Sequence, residues 1–415
     1  MGGLDAPSLA QDAQACFCAA NSRPVRPVFL ADVLAGRDNN LNAIRMLAAI
    51  AVLVSHAWPI TGAEAAEPLK SQTGQTLGHY SVAIFFGISG LLIARSFDRQ
   101  RSLLHFVVAR VLRLFPALLV ALVLTVIAGA FVSELGLSAY VSSPDVWTYV
   151  PVNLSLVYMQ GPLPGVFESN IYGTVINGSI WTLFYEVACY AGVVALGAMG
   201  VIRKPSAMLA AMAAATVFHF AGPLIGQLGV PAPPGVVIRL EFFALLSFPF
   251  MIGACAYVWR DRIPLSAGIM LLLWIPVPLL AGTTLMASFV VAALVYLSLW
   301  AGYIPKGRAL MYNRLGDYSY GVYIYAFPVQ QGLAWVMPGM SPFANIMLAL
   351  PVTLLLAVLS WHIVETRALA MVTPLGDRIA RHLYRATRVP VQNSGSAWLI
   401  PARLSVVWPR SRQSF

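Results

Sequence analysis

Long apolar runs recur along almost the whole chain, and a short polar or basic segment separates each run from the next. A helix needs roughly 20 consecutive apolar residues to cross the hydrocarbon core of a bilayer, and several runs reach that length. Hydrophobic residues make up 59% of the chain and charged residues only 10%, whereas soluble domains are about 25% charged. A soluble fold could not bury so much apolar surface, so the sequence predicts an all-α, polytopic membrane protein.

The apolar runs predict about ten transmembrane helices. We expect these helices at residues 41–60, 79–97, 107–131, 179–201, 206–227, 240–259, 264–281, 284–303, 315–336 and 343–364. They divide the chain into an N-terminal tail (1–40), a membrane domain (41–366) and a basic C-terminal tail (367–415). The first 40 residues contain no long apolar run after a basic start, so no cleaved signal peptide is expected.

The net charge of +10 is distributed unevenly between the two sides of the predicted helices. One side carries Arg23, Arg26, Arg37, Arg95, Arg99, Arg101, Arg203, Lys204, Arg260, Arg262, Lys306, Arg308 and Arg314. The other side carries only Lys70 and Arg239, and the long connection 132–178 has no Lys or Arg. Because positive loops stay inside, both termini are expected in the cytoplasm and this connection outside. Basic residues in short segments between apolar runs do not form a nucleic-acid-binding face, so that partner is excluded.

The four cysteines are Cys16, Cys18, Cys189 and Cys255, and they predict no disulfide framework. Neither a second cysteine pair nor a histidine cluster accompanies Cys16 and Cys18, so we expect no metal site.

Two ionisable residues lie in the first predicted helix, Arg45 and His56. They are 11 residues apart, which is almost three helical turns, so both should lie on one helix face about 16 Å apart. An arginine near a helix end can simply reach the lipid headgroups. Ionisable groups deep in a membrane are costly and usually functional, so His56 is a candidate catalytic residue.

Arg110 and Arg113 open the third predicted helix. Their spacing of three places both on one helix face near the cytoplasmic surface. Paired guanidinium groups suit a phosphate-bearing ligand, although binding of lipid headgroups explains the pair equally well at this stage. Because surface-facing arginines add little to packing, replacing either should disturb folding less than ligand binding.

Polar and aromatic residues interrupt two further predicted helices. Glu186 is a carboxylate in an apolar helix and requires a partner, while Trp181 and Tyr185 beside it suit an interfacial aromatic belt. Tyr320 and Tyr323 belong to a tyrosine-rich run in the ninth predicted helix. Such residues suit contacts with a sugar or hydrogen bonds within the protein, and the sequence does not separate the two. Gly87 and Gly90 predict close helix packing or, alternatively, a narrow ligand tunnel.

Six motifs occur in the order typical of one family: LNAIRMLAAIAVLVSH, GHYSVAIFFGISGLLI, RVLRLFP, WTLFYEVACY, LGDYSYGVYIYAFP and WHIVETR. Over about residues 38–368 the chain resembles the acyltransferase-3 family of bacterial integral-membrane O-acyltransferases. Two positions depart from the family pattern: Asn42 replaces a common Asp, and Ala326 replaces a frequent His.

The resemblance implies an enzyme of the bacterial inner membrane that uses acyl-CoA, most often acetyl-CoA, and no metal. It implies a carbohydrate acceptor such as an exopolysaccharide or a lipid-linked glycan, with membrane lipid as surroundings. His56 then takes the catalytic position, Arg45, Arg110 and Arg113 the donor-binding positions, and Glu186 and Glu365 the acidic positions. Trp181, Tyr185, Tyr320 and Tyr323 are the candidate acceptor contacts. The extra extracytoplasmic esterase-like domain of some members is not expected, so onward transfer would need a separate polysaccharide-assembly protein.

Two mechanisms and two other functions remain open on the sequence alone. Neutral His56 can act as general base on the acceptor hydroxyl or form an acyl-histidine intermediate. The acceptor can be a small molecule instead of a polysaccharide. A multi-pass transporter or flippase would also contain buried charges, although no pair of broken segments recurs in matching halves of the sequence.

Overall fold

The computed structural model describes residues 27–36, 38–99, 102–225, 233–283 and 285–386. Within these ranges the fold is helical and has no strand, apart from an isolated bridge between Phe29 and Pro264. The α-helices are α1 (Leu30–Leu34), α2 (Leu41–Ile60), α3 (Lys70–Thr73), α4 (Leu77–Arg99), α5 (Leu103–Val132), α6 (Leu137–Ser142), α7 (Pro144–Leu154), α8 (Thr182–Ala198), α9 (Pro205–Ile225), α10 (Pro234–Val258), α11 (Ala267–Trp274), α12 (Pro276–Leu279), α13 (Leu285–Tyr303), α14 (Ser319–Val336), α15 (Pro342–Ser360), α16 (Thr366–Ala370) and α17 (Val372–Ala386). Short 3₁₀ turns cover Glu64–Ala66, Val201–Arg203 and Gly307–Arg314, and a π turn covers Trp361–Glu365.

A helix or a helix pair occupies each of the predicted apolar segments. Among the described residues, seven helices are long and apolar enough to cross a membrane, which confirms an all-helical, multi-pass architecture in outline. These are Leu41–Ile60, Leu77–Arg99, Leu103–Val132, Pro205–Leu224, Gly235–Val258, Leu285–Tyr303 and the continuous stretch Pro342–Leu383. The count of about ten and the cytoplasmic location of both termini remain predictions.

Three of the ten predicted spans are not among these seven helices, each for a different reason. The helix α8 has only 17 residues. The predicted span 264–281 breaks into α11 and α12, where Pro276 and Pro278 interrupt the hydrogen-bond ladder of a continuous helix. The helix α14 has 18 residues but carries tyrosine and glutamine side chains that lower its hydropathy.

The helix α4 lies at the centre of the bundle and crosses α10 at very short range. A Cβ atom on Gly90 would lie 1.9 Å from the carbonyl oxygen of Phe250, and one on Gly253 would lie 1.9 Å from that of Gly87. Only glycine allows two backbones to approach so closely. Gly87 and Gly90 therefore serve helix packing, which confirms the simpler of the two sequence interpretations.

The two ends of the bundle differ in charge. We call the end where α2 begins and α4 finishes the basic end, because Arg95 and Arg99 lie there. At this end the Nδ2 atom of Asn40 donates hydrogen bonds to the carbonyls of Ala301 and Pro305, at 3.2 and 2.9 Å. We call the other end of the bundle, where α2 finishes and α4 begins, the opposite end.

The long connection 132–178 lies at the opposite end. It contains α6 and α7, and it folds back against α5 through the Tyr140 hydroxyl, which donates to the carbonyl of Val126 at 2.8 Å. Tyr140 and Tyr149 are buried in this contact. The connection is therefore a folded cap on α5, not an extended loop.

Candidate functional site

A cavity of about 390 Å³ lies between α2, α4, α5, α8 and α14 in the basic half of the bundle. Its wall contains Arg45, Arg110 and Arg113 together with the carboxylates of Glu186 and Asp317. We call it the arginine cavity. Tyr320 and Tyr323 complete its inner wall, so the structure brings six of the predicted site residues to one place.

Two of the three arginines are held by carboxylates. Arg45 donates to Asp317, and Arg113 donates to Asp317 at 2.6 Å and to Glu365 at 3.0 Å. Asp317 is 7% exposed, and the guanidinium groups of Arg45 and Arg113 provide the counter-charges that a buried carboxylate requires. Glu365 is 1% exposed and also accepts a hydrogen bond from Ser360 at 3.2 Å. These four charged residues form a closed network inside the protein.

Arg110 differs from the other two arginines. Its Nε atom is buried without a hydrogen-bond partner, and no ion pair links it to a carboxylate of the described residues. Its guanidinium lies over the rings of Phe106 and Tyr190, at 5.8 and 5.9 Å from the ring centres. Arg110 therefore keeps its hydrogen-bonding capacity for a ligand in the cavity.

Glu186 lies across the cavity on the first turns of α8. Its carboxylate accepts a hydrogen bond from the Tyr190 hydroxyl one turn later on the same helix. A carboxylate in an apolar helix requires a partner, and for Glu186 this partner is Tyr190. The ring of Tyr190 also contacts the guanidinium of Arg110.

The two cavity tyrosines already use their hydroxyl protons within the protein. The Tyr320 hydroxyl donates to the carbonyl of Leu114 at 2.8 Å, and the Tyr323 hydroxyl donates to that of Ser179 at 2.9 Å. Thr182 lies 2.6 Å from the Tyr323 oxygen. Each tyrosine therefore presents mainly its ring to the cavity and fixes α14 against a neighbouring helix.

His56 lies beyond the inner end of the arginine cavity and does not belong to its wall. Its Nδ1 atom is buried without a partner, and its ring meets the ring of Phe327 edge-on at 5.1 Å. Phe327 follows Tyr323 by four residues on α14, so His56 is about one helical turn, or 6 Å, past the cavity wall. Phe327 also contacts Tyr172 of the long connection at 5.3 Å.

Trp181 and Tyr185 line a different space. They border a separate cleft of about 390 Å³ with Phe184, Arg239 and Phe242. The Trp181 ring lies 4.7 Å from Phe242 and 5.7 Å from Tyr185. We call this the aromatic cleft. The structure therefore separates the four predicted acceptor contacts into two pairs.

Asp317 is the main residue of the cavity that sequence reasoning missed. It lies two residues before α14, where an aspartate ordinarily suggests a turn or a helix cap. Its partner Arg45 is 272 residues away in the chain, so no local pattern reveals the contact. The only available signal was its place in the run LGDYSY, directly before buried tyrosines. Among the described residues no group of His, Cys, Asp and Glu could hold a metal ion.

Comparison with known proteins identifies the family of the chain. A family profile described as an acyltransferase domain matches residues 38–362. The chain is 30% identical over 342 residues to a protein named O-acetyl transferase of Shigella phage Sf6, covering 81% of this chain and 98% of that protein. It is 29% identical over 385 residues to a protein named Nodulation protein 10 of Rhizobium leguminosarum bv. viciae, covering 84% of this chain and 97% of that protein. No solved structure matches the chain significantly.

Proposed function

Because the chain belongs to the acyltransferase-3 family and is an acyltransferase, we propose that it moves an acetyl group from cytoplasmic acetyl-CoA to a hydroxyl of an extracytoplasmic carbohydrate. The acceptor in this proposal is an exopolysaccharide or a lipid-linked glycan. The observation that carries the proposal is a succession along the bundle: Arg110, which has no carboxylate partner within the described ranges, then the arginine cavity, then His56 with its buried Nδ1 atom free of hydrogen bonds.

Arg110 is the proposed anchor for the donor's phosphates. A half-buried guanidinium without a carboxylate partner gains most from a bound anion, and its planar fork can bind two phosphate oxygens at once. Arg45 and Arg113 act differently in this proposal, because Asp317 and Glu365 already neutralise them. They position the cavity wall, while Arg110 makes the direct contact with the donor.

The acyl arm of the donor extends from Arg110 past Tyr320 and Tyr323 toward His56. Both rings form apolar walls that suit an uncharged pantetheine arm, since a ligand site is mostly apolar with a few placed polar groups. The basic end faces the cytoplasm according to the distribution of Lys and Arg. This orientation places the donor on the cytoplasmic side and His56 nearer the acceptor.

His56 is the proposed general base. The acceptor hydroxyl oxygen attacks the thioester carbonyl carbon while a nitrogen of neutral His56 takes the hydroxyl proton. The carbon–sulfur bond then breaks, and the CoA thiolate leaves and takes up the proton that His56 received. General base catalysis of this kind contributes about 10²- to 10⁴-fold to a rate. Glu186, which faces Arg110 across the cavity, is the second proposed catalytic residue.

The name of one relative, O-acetyl transferase, favours acetyl as the acyl group. Trp181 and Tyr185 remain proposed acceptor contacts, now at the aromatic cleft and not beside the donor. The proposed location is the bacterial inner membrane, with lipid around the bundle.

The proposal is tested with purified full-length protein in phosphatidylcholine vesicles and acetyl-CoA labelled in its acetyl group. In parallel, mass spectrometry compares surface glycans from cells with and without the gene. Acetyl-CoA consumption together with gene-dependent acetylated glycan supports the proposal. Gene-dependent transport of a glycan without any acetyl transfer would contradict it and favour a flippase instead.

A further inference from the structure

A second and larger cavity, of about 810 Å³, lies at the opposite end between α4, α9, α10 and α13. Residues 71–75 and the turn at Gly282 and Thr283 border it toward that end. It lies on the other side of α4 from the arginine cavity: His79 and Ala83 face it, while Val82 and Phe86 face the arginine cavity. We call it the histidine chamber.

One histidine of the chamber is held firmly in place. The ring of His219 stacks on Phe248 at 4.3 Å with an interplanar angle of 16°. Its Nδ1 atom is 3.4 Å from the carbonyl of Ala244, and its Nε2 atom is 2.8 Å from the Ser288 hydroxyl. A carbonyl only accepts, so Nδ1 carries the proton and Nε2 accepts from Ser288. The Ser288 oxygen keeps acceptor capacity toward the chamber.

The side chains of two further chamber residues, His79 and Glu241, make no hydrogen bond or ion pair within the described ranges. The backbone N–H of His79 donates to the Thr76 hydroxyl at 3.0 Å, and its ring lines the chamber, where it meets the Tyr80 ring edge-on at 5.3 Å; within the described ranges its ring nitrogens make no hydrogen bond. Glu241 lines the chamber on α10 without an ion pair or a side-chain hydrogen bond within the described ranges. Both side chains are half-buried, so their polar atoms are open to a ligand in the chamber.

The charge and shape of the wall limit what that ligand can be. No Lys or Arg lines the chamber in the described part of the chain, so a phosphate or other anion would lack a counter-charge. The remaining wall is apolar and includes Phe220, Phe242 and Phe248. A plain acyl chain would fill that wall but make no hydrogen bond with the imidazole of His79 or the carboxylate of Glu241.

We propose that the histidine chamber binds a neutral sugar unit of the acceptor glycan. Sugar hydroxyls both donate and accept, so they can satisfy a neutral imidazole, an acceptor-only carboxylate and the Ser288 oxygen together. Phe242 is common to the walls of the chamber and of the aromatic cleft, which also contains Trp181 and Tyr185. A glycan held in the chamber thus lies beside the cleft. This inference rests on the proposed function and specifies the acceptor class as a neutral glycan.

The test uses full-length protein in phosphatidylcholine bilayers without any acyl donor. One probe is an octyl glucoside with a diazirine on the first carbon of the alkyl chain, and the other is octylphosphocholine labelled at the same carbon. After photolysis, mass spectrometry maps the labelled peptides. We expect saturable labelling of chamber residues by the glucoside, beyond that by the phosphocholine.

Substitutions then separate binding from folding. His79→Ala should weaken glucoside labelling about 3- to 10-fold, the loss of one neutral hydrogen bond. Ala287→Phe, which fills the chamber without removing a polar group, should abolish labelling. The control His382→Ala changes an exposed histidine of α17 and should leave labelling unchanged. Each variant is accepted only if it elutes as a single species and retains the CoA affinity of the wild type.

Equal labelling by the two probes would overturn the proposal and identify a cleft for lipid chains. Absence of saturable glucoside labelling in the wild type would overturn it as well. Neither result depends on turnover, so a failure of acyl transfer with intact glucoside binding would count against the proposed function alone.

Discussion

The Nη2 atom of Arg113 lies 2.6 Å from a carboxylate oxygen of Asp317, and this contact joins α5 to the start of α14 inside the bundle. Arg45 of α2 binds the same oxygen of Asp317. Three helices that are far apart in the sequence are thus fixed around one carboxylate. Arg110, which lines the same cavity, has no such ion pair among the described residues.

Replacement of Asp317 by alanine should destabilise the protein strongly. It leaves Arg45 unpaired and Arg113 with Glu365 alone, and breaking a buried ion pair typically costs about 3–5 kcal/mol. The thermal midpoint of purified protein in detergent measures the loss. The control Asp377→Ala removes a carboxylate from an exposed pair with His105 and should cost at most about 1 kcal/mol. Equal shifts for the two variants would show that the network contributes little to stability.

Arg110 and Arg113 should differ in their substitution effects, although the sequence suggested the same outcome for both. Arg113 is not surface-facing as expected: its side chain is 14% exposed and bound by two carboxylates, so Arg113→Ala should lower the thermal midpoint. Arg110→Ala should keep the wild-type midpoint and weaken CoA binding about 10- to 100-fold, as expected for one lost charge-assisted contact.

Isothermal titration of CoA into detergent-solubilised variants checks this difference. Arg110→Lys should restore affinity only in part, because an ammonium group lacks the bidentate fork. Arg262→Ala, an exposed arginine at the basic end, is the control and should bind CoA normally. Wild-type CoA affinity in Arg110→Ala would remove the phosphate role and leave headgroup binding as its function.

The crossing of α4 and α10 should not tolerate a methyl group at Gly90. Gly90→Ala places a Cβ atom 1.9 Å from the Phe250 carbonyl oxygen, so the two backbones must move apart. We expect a loss of about 1–3 kcal/mol from overpacking, measured as a lower thermal midpoint. Gly192→Ala in α8 meets no atom within 4 Å and should be neutral or slightly stabilising. A neutral Gly90→Ala variant would contradict the close crossing.

The orientation in the membrane can be tested by cysteine labelling in intact cells. With the native cysteines replaced, Ser138→Cys in the connection 132–178 should react with a membrane-impermeant maleimide added outside. Lys204→Cys at the basic end should react only after the inner face is exposed. Both positions are exposed on the protein surface, so accessibility depends on the membrane alone. The reverse pattern would invert the predicted topology.

The sequence predicted the features that depend on local patterns. Apolar length located the first three helices within a few residues of their observed bounds, and the 11-residue spacing correctly placed Arg45 and His56 on one face. Arg45 contacts Asp317 just before α14, and His56 contacts Phe327 within α14, so both side chains face this part of the chain. The spacing of Arg110 and Arg113 predicted one shared helix face, and both residues line the arginine cavity.

Other features depend on contacts between distant parts of the chain and were not predictable. Arg113 and Glu365 are 252 residues apart, and nothing local distinguishes this arginine from the unpaired Arg110. Trp181 and Tyr185 precede Glu186 by only a few residues, yet they face a different space because consecutive helical residues point in different directions. The two prolines that break the 264–281 segment are visible in the sequence, but the length of its apolar run led to the prediction of one continuous span.

In the proposed mechanism His56 is the general base for acyl transfer. The most direct measurement is the initial rate of acetyl transfer from labelled acetyl-CoA to glycan by monodisperse full-length protein, for the wild type, His56→Ala and the exposed control His382→Ala. We predict that His56→Ala retains wild-type CoA affinity and thermal midpoint but loses at least about 100-fold in rate, while His382→Ala matches the wild type. A His56→Ala variant that transfers acetyl at a rate near that of the wild type would contradict the mechanism.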